Sequence, residues 1–265
     1  MVLDQAHNLK KLVKKQDKTN ASRNRKKVFG LLSGKGGVGK SLLALNSAIL
    51  LSENYSCLLI DGDFLTPSQH VLANVSPRKS LELWLKKPEI SLSELIIPVK
   101  SGLDLVTSEG EGFDYHLKDW QYTKLLRRAI HEGNNYDVII LDFPTGYFPF
   151  MNPLIFELDE IILISSPEPT SVIDTYAMVK LLVPEVDSSR IKVLINMADN
   201  EEEANQSVEN LNHALTHFLS ISLEPIPPIY YASEIKDSVK QQKPIAYENS
   251  SLVKSLSEYL AYCLQ

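Results

Sequence analysis

At 265 residues, 44% of them apolar and 23% charged, the chain has the length and balance of one α/β domain with a full core. No run nears the length of a membrane span and no signal-peptide core opens the N-terminus. Two distant cysteines, Cys57 and Cys263, exclude a disulfide framework or a CxxC metal site and suit a cytosolic protein. The net charge of −6 is uneven: residues 1–27 hold nine Lys or Arg and two Asp, a charge of +7, and the rest holds 18 basic and 31 acidic residues, −13. That argues against nonspecific DNA binding by the folded part.

Two parts are expected, a basic tail over 1–27 and one domain over 28–265. Residues 3–15 read as a short amphipathic helix. Ala6, Leu9, Leu12 and Val13 share a face, Lys10, Lys11, Lys14 and Lys15 fill the other, and Asp4 stands where a cap is needed. So short a helix is marginal alone and is expected to fold on a partner; a solvated arm is the competing reading. Residues 16–26 are almost free of apolar side chains and read as a linker.

From Val28 onward strands and helices alternate, which predicts a doubly wound, mostly parallel sheet with helices on both faces. An apolar strand over Val28–Leu32 leads into Gly34-Lys35-Gly36-Gly37-Val38-Gly39-Lys40-Ser41, and a helical pattern follows to Leu51. Gly, four residues, Gly-Lys-Ser between a strand and a helix is the P-loop pattern. Its glycines let backbone N–H groups close on phosphate oxygens, and the helix adds the positive end of its dipole. Gly34 through Leu42 are therefore the expected nucleotide-binding run, with Lys40 on the β- and γ-phosphates and the Ser41 hydroxyl on Mg²⁺.

A second strand, Cys57–Asp61, delivers Asp61-Gly62-Asp63 to the carboxyl end of the sheet, where nucleotides bind in such folds. Further on, Leu81–Leu85 suggests a short helix, Leu103–Val106 a strand, and Glu109–Gly112 a loop. Trp84 and Trp120 read as core. A helix over 117–131 precedes the strand Tyr136–Asp142, whose terminal carboxylate is the Walker B candidate. Asp142 would hold Mg²⁺ through a water, with Phe143-Pro144-Thr145-Gly146 as the loop that senses the γ-phosphate. Then come a strand over Glu160–Ser165, another over Ile191–Ile195 ending at Asn196, and a polar helix over 201–218. A last helix, 249–264, has one apolar stripe: Leu252, Val253, Leu256, Tyr259, Leu260 and Cys263. With only Lys254 as a basic residue, that stripe reads as docking on the sheet rather than as a membrane anchor.

The early lysine makes the loop specific. Lys35 through Ser41 resembles the deviant Walker A motif of the MinD/ParA family of dimerising ATPases. The resemblance implies ATP and Mg²⁺ as ligands and an ATP-bound homodimer in which Lys35 crosses to the partner's nucleotide, with slow hydrolysis. It implies that Asp63 contacts the attacking water and the Mg²⁺ shell, that Asp61 supports the site, and that Asn196 meets the adenine. The alternative for Asn196 is an ordinary strand-terminating residue.

Three further stretches narrow the resemblance to the FlhG group of flagellar-number ATPases, also written YlxH or FleN: Pro167 to Lys180, Phe218 to Glu224 and Ile235 to Pro244. At the start, Asp4-Gln5-Ala6-His7-Asn8-Leu9-Lys10 resembles that group's DQAxxLR motif, which binds FlhF, an SRP-type GTPase, and stimulates its hydrolysis. By this resemblance Asp4, Gln5, Ala6, Leu9 and Lys10 form the partner contact, with Gln5 the main side chain. Lys10 stands where the motif has Arg and lacks its planar fork. Flagellar switch-complex proteins or a flagellar transcription activator are implied as further partners, and a cytoplasmic location with peripheral contact at the cell pole or inner membrane.

The chain departs from the group after Asp63 (Phe64 to His70), after Asp142 (Phe143 to Gly146) and at Tyr230 and Ala232, where Pro and Asp are usual. Competing readings are a ParA-type or MinD-type positioning ATPase acting on DNA, membrane or another cargo, a tyrosine autokinase, an Fe–S carrier, and a binding module with a vestigial ATPase. The acidic body, the absence of a tyrosine-rich tail and the unpaired cysteines argue in turn against the DNA, kinase and Fe–S readings.

Overall fold

The computed structural model describes residues 26–108 and 117–264. The helix expected over 3–15, the linker as far as residue 25, the tail residues Asp4, Gln5, Ala6, Leu9 and Lys10, and the loop over 109–112 lie outside those residues.

Eight strands form one sheet. They are β1 (Lys27–Ser33), β2 (Cys57–Asp61), β3 (Ile97–Lys100), β4 (Leu103–Val106), β5 (Val138–Thr145), β6 (Glu160–Ser165), β7 (Ile191–Ala198) and β8 (Glu224–Tyr230). Their order is β3-β4-β2-β5-β1-β6-β7-β8. Every pairing is parallel except that of β3 with β4. The central strands are near-continuous apolar runs because both their faces are covered. From β1 the chain moves first toward β2 on one side and later to β6 on the other. A crevice therefore opens at the carboxyl end of β1, where the P-loop begins.

The edges carry what periodicity misses. β8 reads Glu-Pro-Ile-Pro-Pro-Ile-Tyr, and its three prolines hide it from a strand pattern. They are tolerated because β8 pairs only with β7. β3, with Pro98, forms the opposite edge. β5 runs on through Phe143 and Pro144 to Thr145, so the expected loop after Asp142 is strand. Fully buried Phe143 holds it in, packed where Gly30 leaves room for its ring.

Nine α-helices appear among the described residues: α1 (Lys40–Leu51), α2 (Gln69–Leu72), α3 (Leu83–Lys86), α4 (Asp119–Glu132), α5 (Asn152–Ile155), α6 (Pro169–Leu182), α7 (Glu201–Leu219), α8 (Ser233–Lys240) and α9 (Lys254–Tyr262). Each sheet face has its own core. α4, α6 and α7 supply one through Leu125, Leu126, Met178, Val179, Leu211 and Leu215. α1, α9 and the turn before α9 supply the other through Leu43, Leu45, Ile49, Val253, Leu256 and Leu260.

α1 is buried on nearly every side, since the sheet lies beneath it and α9 packs over it. The Asn46 side chain adds a clasp: its Oδ1 accepts from the Ala246 backbone N–H at 2.8 Å. The C-terminal stripe thus docks inward, on α1 and the edge strand β8 as well as the sheet. The single helix expected there is a 3₁₀ turn, Ser250–Val253, running into α9.

Trp84 is core: it is buried, its Nε1 donates to the Ile90 carbonyl at 3.0 Å, and the Arg128 guanidinium lies 4.1 Å from the ring centre. Trp120 is not. It is 60% exposed in the first turn of α4. Helical phase explains this, because it shares a face with Lys124, Arg127 and His131 while Leu125, Leu126, Ala129 and Ile130 turn inward.

Candidate functional site

The P-loop joins β1 to α1, and its geometry requires glycine at two points. Gly37 and Gly39 have φ of 81° and 85°, in the left-handed region that a Cβ disfavours. A Cβ on Gly39 would collide with the Asn196 amide, and one on Gly34 would lie 2.5 Å from the Asp174 carbonyl oxygen of α6. Around Gly37 nothing approaches within 4 Å of such an atom, so the loop presents open backbone there.

Lys40, Ser41 and Asp142 come together as the sequence predicts. The Lys40 ammonium and an Asp142 carboxylate oxygen form an ion pair with side-chain exposures of 6% and 1%. Lys40 Nζ lies 3.4 Å from Ser41 Oγ. Parallel pairing aligns Asp61 of β2 with Asp142 of β5, which brings both carboxylates to one end of the sheet.

Asp61 is fully buried and organises the loop that follows it. It accepts from the backbone N–H of Asp63 at 3.2 Å and from those of Ser68 and Gln69 at 2.9 Å each. Burial and the neighbouring Asp142 carboxylate raise its pKa, against the pull of the Gln69 and Asp63 N–H donors. These bonds fix the start of α2, and with it Gln69. The Gln69 side chain reaches back into the centre: Nε2 donates to Asp142 Oδ2 at 2.7 Å and to the Ser41 carbonyl at 2.9 Å. Gln69 is missed from sequence, because a lone glutamine at a helix start carries no motif; the one available signal is its place six residues after Asp63, in the stretch that departs from the group's pattern.

The other expected residues stand apart. The Asp63 carboxylate serves its own loop, accepting from Leu65 N at 3.1 Å, Thr66 N at 2.9 Å and Thr66 Oγ1 at 3.0 Å. Lys35 lies on the loop rim, ion-paired with Glu168 and donating to Thr170 Oγ1 at 2.9 Å, at the start of α6. Asn196 donates through Nδ2 to the Val38 carbonyl at 2.8 Å, which latches β7 to the P-loop. Beside it Met197 takes a left-handed φ of 64°, unusual for a side chain of its size. A cleft of about 360 Å³ opens here, lined by Lys35, Gly37, Glu168, Met197, Asp199 and Glu203. Tyr230 and Ala232 close β8 and precede α8.

The donor set fits phosphate oxygens and a hard divalent cation: a glycine cradle, one lysine, one hydroxyl and buried carboxylate. The Gln69 Oε1 atom supports the fit, because it is buried in this centre with no hydrogen-bond donor. Among the described residues no helix is long and apolar enough to cross a membrane, and no group of His, Cys, Asp or Glu is arranged to hold a metal by itself. Cys57 and Cys263 are both free thiols.

A P-loop at the carboxyl end of the central strand, backed by a buried aspartate from the neighbouring strand, defines a P-loop NTPase. The model of the ParA family, described as "NUBPL iron-transfer P-loop NTPase", matches residues 24–216, and the chain belongs to that family. Two curated relatives align over 82% of the chain at 26% identity. They are the antiactivator FleN of Pseudomonas aeruginosa, 78% of whose length is covered, and the flagellum site-determining protein YlxH of Helicobacter pylori, 74% covered. The FlhG-group likeness read from the sequence falls on these two. Among solved structures, the MinC:MinD complex of Aquifex aeolicus matches with a TM-score of 0.70 at 22% identity, covering 89% of this chain and 96% of that one. Pyrococcus horikoshii MinD with Mg-ADP matches with a TM-score of 0.71 at 17% identity, covering 91% and 99%. At these identities the structures speak for the fold.

Proposed function

We propose that this chain is an ATP-dependent dimerisation switch with slow hydrolysis, that it regulates the number or placement of flagella, and that its N-terminal tail stimulates an SRP-type GTPase of the FlhF kind. The observation that carries the reading is the alignment with FleN and YlxH over 82% of a chain whose phosphate-binding centre is complete.

The chain's own residues suggest the order of events. Lys40 leaves Asp142 for the β- and γ-phosphates, which frees a carboxylate oxygen on the metal side of the site. Ser41 and Asp142 are the residues that would hold Mg²⁺, whose chemistry is to neutralise charge on the phosphates. Asp63 exchanges its own-loop contacts for the attacking water. Lys35 exchanges Glu168 and Thr170 for the nucleotide of a second copy. The iron-transfer description of the family does not extend to this chain, which has two cysteines and no pair of them close in sequence.

With Asp63→Ala, hydrolysis stops and the protein sediments as a dimer in ATP and Mg²⁺; a monomer under those conditions would overturn the switch. The partner is tested separately. A peptide of residues 1–20 accelerates GTP hydrolysis by FlhF from the same organism, and Gln5→Ala abolishes the effect. Failure to stimulate would leave a positioning ATPase of the ParA or MinD type with another cargo, DNA or membrane.

A further inference from the structure

Gln69 is fully buried, and both ends of its amide are informative. Its nitrogen bridges two groups of the phosphate centre, Asp142 Oδ2 at 2.7 Å and the Ser41 carbonyl at 2.9 Å. Both are acceptors, so the amide orientation is determined: reversing it would set oxygen against carboxylate. The other end, Oε1, is then an acceptor with no donor, enclosed in the same centre. A buried carbonyl oxygen without a donor is unfavourable, so this atom is poised to accept one. Among the described residues no protein donor reaches it, and Asp61 holds the helix start that carries Gln69 through the Ser68 and Gln69 N–H groups.

We propose that Gln69 is a positioning residue for the metal site, whose Oε1 accepts a hydrogen bond from a water bound to magnesium while its Nε2 aims the Asp142 carboxylate. The inference rests on the nucleotide-binding reading above and extends it to a residue outside every motif. It also gives the Asp61 carboxylate a task that needs no contact with the metal. Asp61 sets α2, α2 sets Gln69, and Gln69 sets the outer shell of the site. Such outer-shell partners typically change metal affinity by about 10–100-fold when removed.

The test is a Mg²⁺ titration of binding of a fluorescent ADP analogue to the full-length protein, paired with the same binding in EDTA. Gln69→Leu raises the Mg²⁺ concentration for half-saturation by at least about tenfold, a larger loss than the same substitution causes in EDTA. Gln69→Glu keeps an acceptor oxygen but sets a second carboxylate against Asp142, so its binding weakens in EDTA and is restored by Mg²⁺. Thermal melts in EDTA identify any variant that fails to fold, and Gln69→Glu then carries the test alone. An unchanged titration in Gln69→Leu would overturn the proposal, as would a Gln69→Glu protein whose binding Mg²⁺ fails to restore. A wild-type chain that binds no nucleotide would remove the underlying reading, and that result is distinct from either.

Discussion

Lys40→Ala is expected to abolish nucleotide binding and to destabilise the nucleotide-free protein as well. The second effect follows from burial. Lys40 and Asp142 are a pair almost wholly out of water, and removing the cation leaves a carboxylate that solvent cannot reach. Breaking a buried pair from one side costs about 3–5 kcal/mol. For a domain of this size that lowers the melting temperature by roughly 10 °C. Lys40→Ala combined with Asp142→Asn should recover much of the lost stability and none of the binding, since the amide removes the unpaired charge without restoring the phosphate contact. Melts of the four proteins of this cycle, read alongside nucleotide titrations, separate the two roles. A Lys40→Ala protein as stable as wild type would show that Asp142 does not depend on its lysine.

Lys35→Ala is expected to behave in the opposite way. Its ion pair with Glu168 is solvent-accessible, and pairs of that kind contribute about 0–1 kcal/mol, so the melt should scarcely move. Nucleotide binding to the monomer should persist because Lys40, Ser41 and the glycine cradle are untouched. Turnover should fall by about 10³-fold or more, the scale of a charge supplied in trans at a phosphoryl transition state. Single-turnover hydrolysis at several protein concentrations checks this: the wild-type rate should rise with concentration and the Lys35→Ala rate should not. A variant that keeps the wild-type rate would place Lys35 outside the chemistry.

Much of this site could be read from residue order because a P-loop is local. Gly34 to Ser41 must be contiguous to cradle phosphate, so the pattern survives in one dimension. Asp142 was legible for a related reason, as the carboxylate that interrupts a buried apolar run. What escaped depends on contacts far apart in the chain. Gln69 meets Asp142 across 73 residues, and Asn196, itself an expected site residue, makes an unexpected contact with Val38 across 158; neither separation leaves a trace in spacing. Phe143 illustrates the converse. The expected turn after Walker B became strand, because a large apolar ring is held in the core more firmly than a motif analogy suggested. The edge strand β8 was hidden by prolines that only an edge permits, and Trp120 shows that an aromatic residue belongs to whichever face its helical phase assigns.

The clasp of Asn46 on Ala246 and the packing of α9 over α1 join segments some 200 residues apart. During synthesis at about 5–20 residues per second, the first helix of the domain must wait ten seconds or more for its cover. Until then the face of α1 that meets Val253, Leu256 and Leu260 is bare and apolar. A chain truncated before residue 245 would leave that face open to water, so it should be prone to aggregate. Covering of the helix that follows the phosphate loop is thus a late event in synthesis, set by segments some 200 residues downstream of it.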